Sequence, residues 1–124
     1  MSNKQPTFGN GKICYLEIPS TDLNISANFY KNCFDWSTRI RGDGSVAFDD
    51  GVGEVSGTWC LDRAPSSNPG IYIHIMIFDI EQTIEKIIAN GGNILQRPDK
   101  NVREKTAKFS DPAGNILCLY QHGK

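Results

Sequence analysis

Hydrophobic and polar positions follow two rhythms along the chain, and the switch from one to the other happens twice. "KICYLEI" has the look of a strand, in which successive side chains take opposite faces. The segment after it, "TDLNISANFYKNCF", carries Leu23, Ala27, Tyr30 and Phe34 on one helical stripe. Asp22 stands where that helix needs an N-cap. The same switch recurs from "IYIHIMI" to "DIEQTIEKIIANGGN". There Ile80, Ile84, Ile87 and Ile88 form the stripe, Asp79 is the N-cap, Gln82 completes a capping-box spacing, and Gly91 and Gly92 supply a C-terminal stop. Each helix is followed by three short strand-like pieces: "STRIRG", "SVAFDD" and "SGTWCL", then "NILQR", "TAKFSD" and "NILCLY". Both halves read β-α-β-β-β.

The halves also align with each other. Displaced by 57 positions, "YIHIMIFD" falls on "YLEIPSTD", so Tyr72 matches Tyr15, His74 matches Glu17 and Asp79 matches Asp22. The fold class expected is α+β: two tandem βαβββ modules over about 12–62 and 71–122, joined by a Pro- and Ser-rich linker over about 63–70, within one domain spanning 1–124. Neither module covers its own sheet. The expectation is two curved mixed sheets side by side, enclosing a groove, with the helices on the outer face. If Ile73, Ile75 and Ile77 pack on the helices, Tyr72 and His74 line the groove, and by the repeat so do Tyr15 and Glu17. Tyr120, two residues beyond Cys118, shares that face. Trp36 is expected as an anchor at the corner after the first helix, while the face taken by Trp59 stays open.

Composition narrows the functional classes. A formal charge of −1 and the absence of any Lys/Arg cluster leave no field for a phosphate backbone, so no nucleic-acid partner is expected. No apolar run approaches the roughly 20 residues of a membrane helix, and the N-terminal "MSNKQPTFGNGK" lacks the apolar centre of a secretory signal. A cytoplasmic location without membrane contact is expected. Cys14, Cys33, Cys60 and Cys118 are scattered without a CxxC pair, which points to reduced thiols, mostly buried.

Three stretches together resemble the vicinal oxygen chelate superfamily, the group of glyoxalases, bleomycin resistance proteins and dihydroxybiphenyl dioxygenases. They are "EIPSTDLNISANFYKNCFDW", "DIEQTIEKIIANGG" and "FSDPAGNILCLYQ". The spacing is most similar to the small glyoxalase-related proteins. The resemblance implies a groove, often with a metal whose ligands lie seven residues before each helix-capping Asp and seven after the Asp of D-P-x-G. In this chain those positions are Tyr15, Tyr72 and Cys118. Two phenols and a thiol poorly suit a divalent ion that prefers carboxylate or imidazole, so no cofactor is expected, and a divalent metal is kept as the alternative. The resemblance also implies a two-fold homodimer whose grooves the partner copy completes, with module swapping open at the linker.

Several chemistries remain possible for the groove. Glu17 and His74 stand at repeat-related points, either as an acid–base pair or as a polar contact within a wall. A metal shifted onto them has no third ligand in the sequence. Tyr15, Tyr72 and Tyr120 offer an aromatic floor with polar tips. Thr106 and Lys108 share a face and fall where fosfomycin resistance relatives place polar contacts to substrate, and Lys108 is a candidate partner for an anion. The favoured reading is binding of a small organic molecule without the usual metal triad, with Tyr15, Tyr72, Thr106, Lys108, Cys118 and Tyr120 as contacts. One alternative is a glyoxalase-like lyase or epimerase that uses Glu17 and His74. Another is a dimeric assembly module with a vestigial groove.

Overall fold

Each switch from strand to helix in the sequence becomes a four-stranded sheet carrying one helix. The computed structural model describes residues 6–123. Its first module runs β1 (Tyr15–Pro19), α1 (Leu23–Phe34), β2 (Ser37–Ile40), β3 (Val46–Asp49) and β4 (Ser56–Cys60). The second runs β5 (His74–Met76), α2 (Ile80–Ala89), β6 (Asn93–Gln96), β7 (Lys105–Ser110) and β8 (Ile116–Gln121). The strand orders are β1-β4-β3-β2 and β5-β8-β7-β6, so both sheets are mixed and the architecture is α+β with two βαβββ modules. In each, the first and last strands pair in parallel, Tyr15 opposite Ser56 and His74 opposite Cys118, and the other pairs are antiparallel. Among the described residues, no helix is long and apolar enough to cross a membrane.

The helix starts follow their caps. Asp22 Oδ1 accepts the N–H groups of Asn24 and Ile25 at 3.0 and 3.1 Å, and Asp79 Oδ1 accepts that of Gln82 at 3.1 Å. α2 ends on Asn90, with Gly91 at φ 96° carrying the chain out. α1 ends instead on Asp35, a non-glycine residue at φ 61°.

The buried stripe of α1 differs from the periodic one. Ser26, Phe29, Tyr30 and Cys33 are buried, while Leu23, Ala27 and Phe34 are only partly so. α1 packs on the first sheet and on α2 at once, and Phe29 and Phe34 reach Phe109 of β7 at ring distances of 6.1 and 5.9 Å. A helix covered on two sides buries a wider arc than one resting on a single sheet. On α2 the stripe holds for Ile80, Ile84 and Ile87, but Ile88 is half exposed and Thr83 is buried in its stead. Trp36 is the corner anchor, stacked between Tyr30 at 4.6 Å and Phe48 at 4.7 Å, and Trp59 lies on the same core side.

The modules meet through the helix layer rather than through their sheet edges. β1 and β5, each at the edge of its sheet, make no contact with one another, so one chain does not close the groove. A buried polar bridge joins the modules instead. Tyr30 Oη donates to Asp111 Oδ2 at 2.7 Å, and Asn115 Nδ2 donates to Asp111 Oδ2 at 2.9 Å and to the Pro19 carbonyl at 2.7 Å. The linker is pinned at its middle, where Ser66 N–H donates to Asn115 Oδ1 at 2.7 Å and the Ser66 carbonyl accepts from Ile116 N–H at 2.9 Å.

Candidate functional site

Strand alternation divides each sheet into a core face and an outward face, and the candidate residues fall on the outward faces. On the second sheet the register sets His74 beside Cys118 and Cys118 beside Lys108, with Met76, Tyr120 and Thr106 in the next row. Tyr72 lies just before β5, and Lys108 Nζ stands 4.7 Å from the centre of its ring. Among the described residues no carboxylate pairs with Lys108. Cys118 is buried between His74 and Lys108. Burial pushes its thiol pKa up, and the Lys108 charge opposes that rise. Tyr120 Oη donates to Glu104 Oε2 at 2.9 Å and lies 3.2 Å from His122 Nδ1. The bond to Glu104 holds the phenolic proton and raises the pKa of Tyr120.

On the first sheet Tyr15 and Glu17 share the outward face with Ser56, Thr58 and Arg39. Arg41, beyond the far edge strand, donates to Tyr15 Oη and lies 5.6 Å from the centre of the Tyr15 ring. That contact crosses the sheet from one edge to the other, which requires the face to be concave. Glu17 pairs with Arg63 of the linker, and Asp49 pairs with Arg39 at 3.2 Å and accepts from Ser56 Oγ at 2.6 Å. A cavity of about 560 Å³ opens beside Ser37, Arg39, Asp49 and Ser56. A second cleft, of about 670 Å³, lies between the modules along β5, lined by His74 and Met76 as well as by Ile73, Ile77, Leu16 and the rings of Trp36 and Phe48.

Thus Tyr72, His74, Thr106, Lys108, Cys118 and Tyr120 share one face, and Tyr15 and Glu17 share another. Glu17 and His74 are not brought together within the chain: Glu17 is taken by Arg63, and the exposed His74 side chain makes no hydrogen bond among the described residues. Sequence reasoning missed Arg41, Arg63, Glu104 and His122. The alternation of Arg39 and Arg41 in "STRIRG" was a readable sign for one of them.

The model of the Glyoxalase/Bleomycin resistance protein/Dioxygenase superfamily matches residues 12–119, both modules together. The chain belongs to this superfamily. A glyoxylase-like domain-containing protein of Didymella fabae is 30% identical over 100 residues, which are 69% of this chain and 73% of that protein. A glyoxalase/bleomycin resistance/dioxygenase family enzyme from Burkholderia phytofirmans PsJN superposes with a TM-score of 0.71 at 16% identity, covering 86% of this chain and 95% of its own. The fosfomycin resistance protein FosX of Mesorhizobium loti gives a TM-score of 0.72 at 14% identity, covering 92% and 93%.

For a superfamily member, the test of a metal at the implied positions is what surrounds them. Tyr15 lies under the guanidinium of Arg41, Tyr72 under the ammonium of Lys108, and Cys118 is a buried thiol whose pKa is raised. A dication placed there would meet two cationic side chains and a reluctant thiol. The residues present do not fit the group.

Proposed function

We propose that the protein binds a small organic anion with a flat apolar body on its tyrosine faces, without a metal at the positions its superfamily resemblance implies. One observation carries this reading: Arg41 over Tyr15 and Lys108 over Tyr72 are cation–ring pairs at repeat-related tyrosines. The free face of each ring offers area for a planar ligand, and the cation held over the ring offers charge-assisted hydrogen bonds to a carboxylate or phosphonate. The glyoxylase-like relative and the fosfomycin resistance neighbour, both named for small molecules, support a small-molecule ligand.

The complete groove is formed by two copies. β1 and β5 each leave one strand edge unpaired, and Ile13, Ile71, Met76 and Phe78 around those edges are 75%, 83%, 63% and 93% exposed. Setting β1 of one copy beside β5 of the other covers these side chains and places Tyr15 and Glu17 opposite Tyr72 and His74. Proton transfer by Glu17 and His74 in a lyase or epimerase depends on the same dimer and competes with the Glu17–Arg63 pair. The four free thiols support a reducing, cytoplasmic setting.

The test is calorimetric titration of EDTA-dialysed protein with benzoate, phenylphosphonate and the neutral benzamide. The anions bind, benzamide binds at least tenfold more weakly, and Lys108→Gln removes the difference. Equal binding of benzamide, or anion binding indifferent to Lys108→Gln, would sink the reading. Sedimentation velocity checks the assembly: a dimer that Met76→Glu weakens is expected, and a monomeric parent protein refutes it.

A further inference from the structure

Glu104 and His122 have no part in the groove reading, and they cluster with Tyr120 at the end of its face. The β7–β8 register sets Lys105 opposite Gln121, so Glu104 and His122 are the next cross-strand neighbours, and Tyr120 lies two residues before His122 on the same face. Three donor atoms converge there. Tyr120 Oη is 2.9 Å from Glu104 Oε2 and 3.2 Å from His122 Nδ1, and His122 Nδ1 is 3.5 Å from Glu104 Oε2.

The triangle has the dimensions of one face of a tetrahedral metal site. Zinc holds nitrogen and oxygen ligands at about 2.0–2.1 Å, which spaces neighbouring ligand atoms by about 3.3 Å. A point about 2.0 Å from all three atoms lies roughly 0.7 Å out of their plane, close to the offset of a tetrahedral ion from its ligand face. The chain beyond β8 is held as well: a Cβ on Gly123 would lie 2.8 Å from Arg103, so the tail packs against the loop that carries Glu104. Among the described residues no three His, Cys, Asp or Glu side chains converge; here, unlike at Tyr15, Tyr72 and Cys118, a carboxylate and an imidazole stand together, and the phenol of Tyr120 is the third and weakest donor.

We infer that Glu104, Tyr120 and His122 form a binding site for a divalent cation of the zinc class, separate from the positions its superfamily resemblance implies. An imidazole nitrogen with a carboxylate oxygen selects Zn²⁺, Cu²⁺ or Ni²⁺ over Mg²⁺ or Ca²⁺, which require more oxygen ligands. On binding, the ion takes the place of the phenolic proton, which leaves to solvent, and the fourth position stays open to water. Glu104 and His122 are more than half exposed, so the ion exchanges with solvent.

The inference does not rest on the anion-binding reading and is tested with metal alone. EDTA-dialysed protein is titrated with ZnCl₂ by calorimetry, with MgCl₂ as control, and with Co²⁺ for its visible spectrum. One equivalent of Zn²⁺ binds with a dissociation constant of roughly micromolar order, MgCl₂ gives no heat, and Co²⁺ shows the intense bands of a tetrahedral site. His122→Ala and Glu104→Gln each weaken Zn²⁺ binding at least tenfold, while Cys14→Ser, at an exposed thiol, leaves it unchanged. The inference is overturned by the absence of stoichiometric binding, by affinity indifferent to His122→Ala and Glu104→Gln, or by loss of binding in Cys14→Ser. An octahedral Co²⁺ spectrum from the parent protein overturns the tetrahedral assignment without any variant.

Discussion

Removing one oxygen from Tyr30 tests how the two modules hold together. Tyr30 is fully buried, and its hydroxyl donates to Asp111 Oδ2 at 2.7 Å. Tyr30→Phe keeps the ring, its 4.6 Å stack on Trp36 and its 5.9 Å contact with Trp59, so the loss isolates the hydrogen bond. A hydrogen bond to a charged group contributes about 1.5–3 kcal/mol. Asp111 keeps three other donors, the N–H groups of Ala113 and Asn115 and the side-chain amide of Asn115, which places the expected loss near the lower end, about 1.5–2 kcal/mol. For a chain of this size that corresponds to a fall in Tm of roughly 5–12 °C. Urea unfolding followed by tryptophan fluorescence reads the change directly, since Trp36 stacks on the altered ring. Burial first and the Asp111 charge second raise the Tyr30 pKa well above 10.0. A raised folded-state pKa means stabilisation that is present below the unfolded value and lost above it, so the parent protein loses stability above about pH 10. Tyr30→Phe lacks that component, and the gap between the two narrows as pH rises. A loss under about 0.5 kcal/mol at pH 7, within the range of an ordinary surface substitution, would refute the assignment of this bond as the module clamp.

Other substitutions probe packing, capping and thiol access. A Cβ on Gly57 would lie 2.3 Å from the Leu16 carbonyl and from Phe48 Cζ, so Gly57→Ala should cost at least about 3 kcal/mol in urea melts, whereas Gly9→Ala, with open space around it, should change little. Asp79→Ala removes the cap of α2 and should cost about 1 kcal/mol by the same assay; an unchanged midpoint would show that the cap is dispensable. Burial pushes the Cys33 thiol up to about 12, whereas Cys14 is exposed. With a disulfide reagent at pH 8, Cys14 should react in the folded protein and Cys33 only at the rate of unfolding; prompt labelling of Cys33, located by mass spectrometry, would contradict its burial.

Much of the scaffold was readable because it depends on local covalent geometry. Alternation along a strand puts Tyr72 and His74 opposite Ile73 and Ile75, and a short carboxylate at Asp22 or Asp79 caps a helix wherever it occurs. The 57-residue repeat carried those assignments from one module to the other. On α1 the periodic stripe of Leu23, Ala27, Tyr30 and Phe34 packs on the core, but the buried arc extends to Ser26, Phe29 and Cys33, because periodicity assumes a single covering surface and Phe109 of the other module supplies a second.

The sequence by itself therefore determined the elements, the alternation of faces along β1 and β5, the superfamily resemblance and the mismatch of Tyr15, Tyr72 and Cys118 with metal ligation. Which groups meet was decided by tertiary structure. Arg41 reaches Tyr15 only because the first sheet curves, and Arg63 takes Glu17 only because the linker is pinned at Ser66. Glu104 finds His122 through the β7–β8 register, and β1 stays apart from β5 because the helix layer and the Tyr30–Asp111–Asn115 bridge set the module junction. A side chain's direction is fixed by its own backbone, whereas its partner is chosen by long-range packing and polar pairing, in which residues distant in sequence compete for the same space.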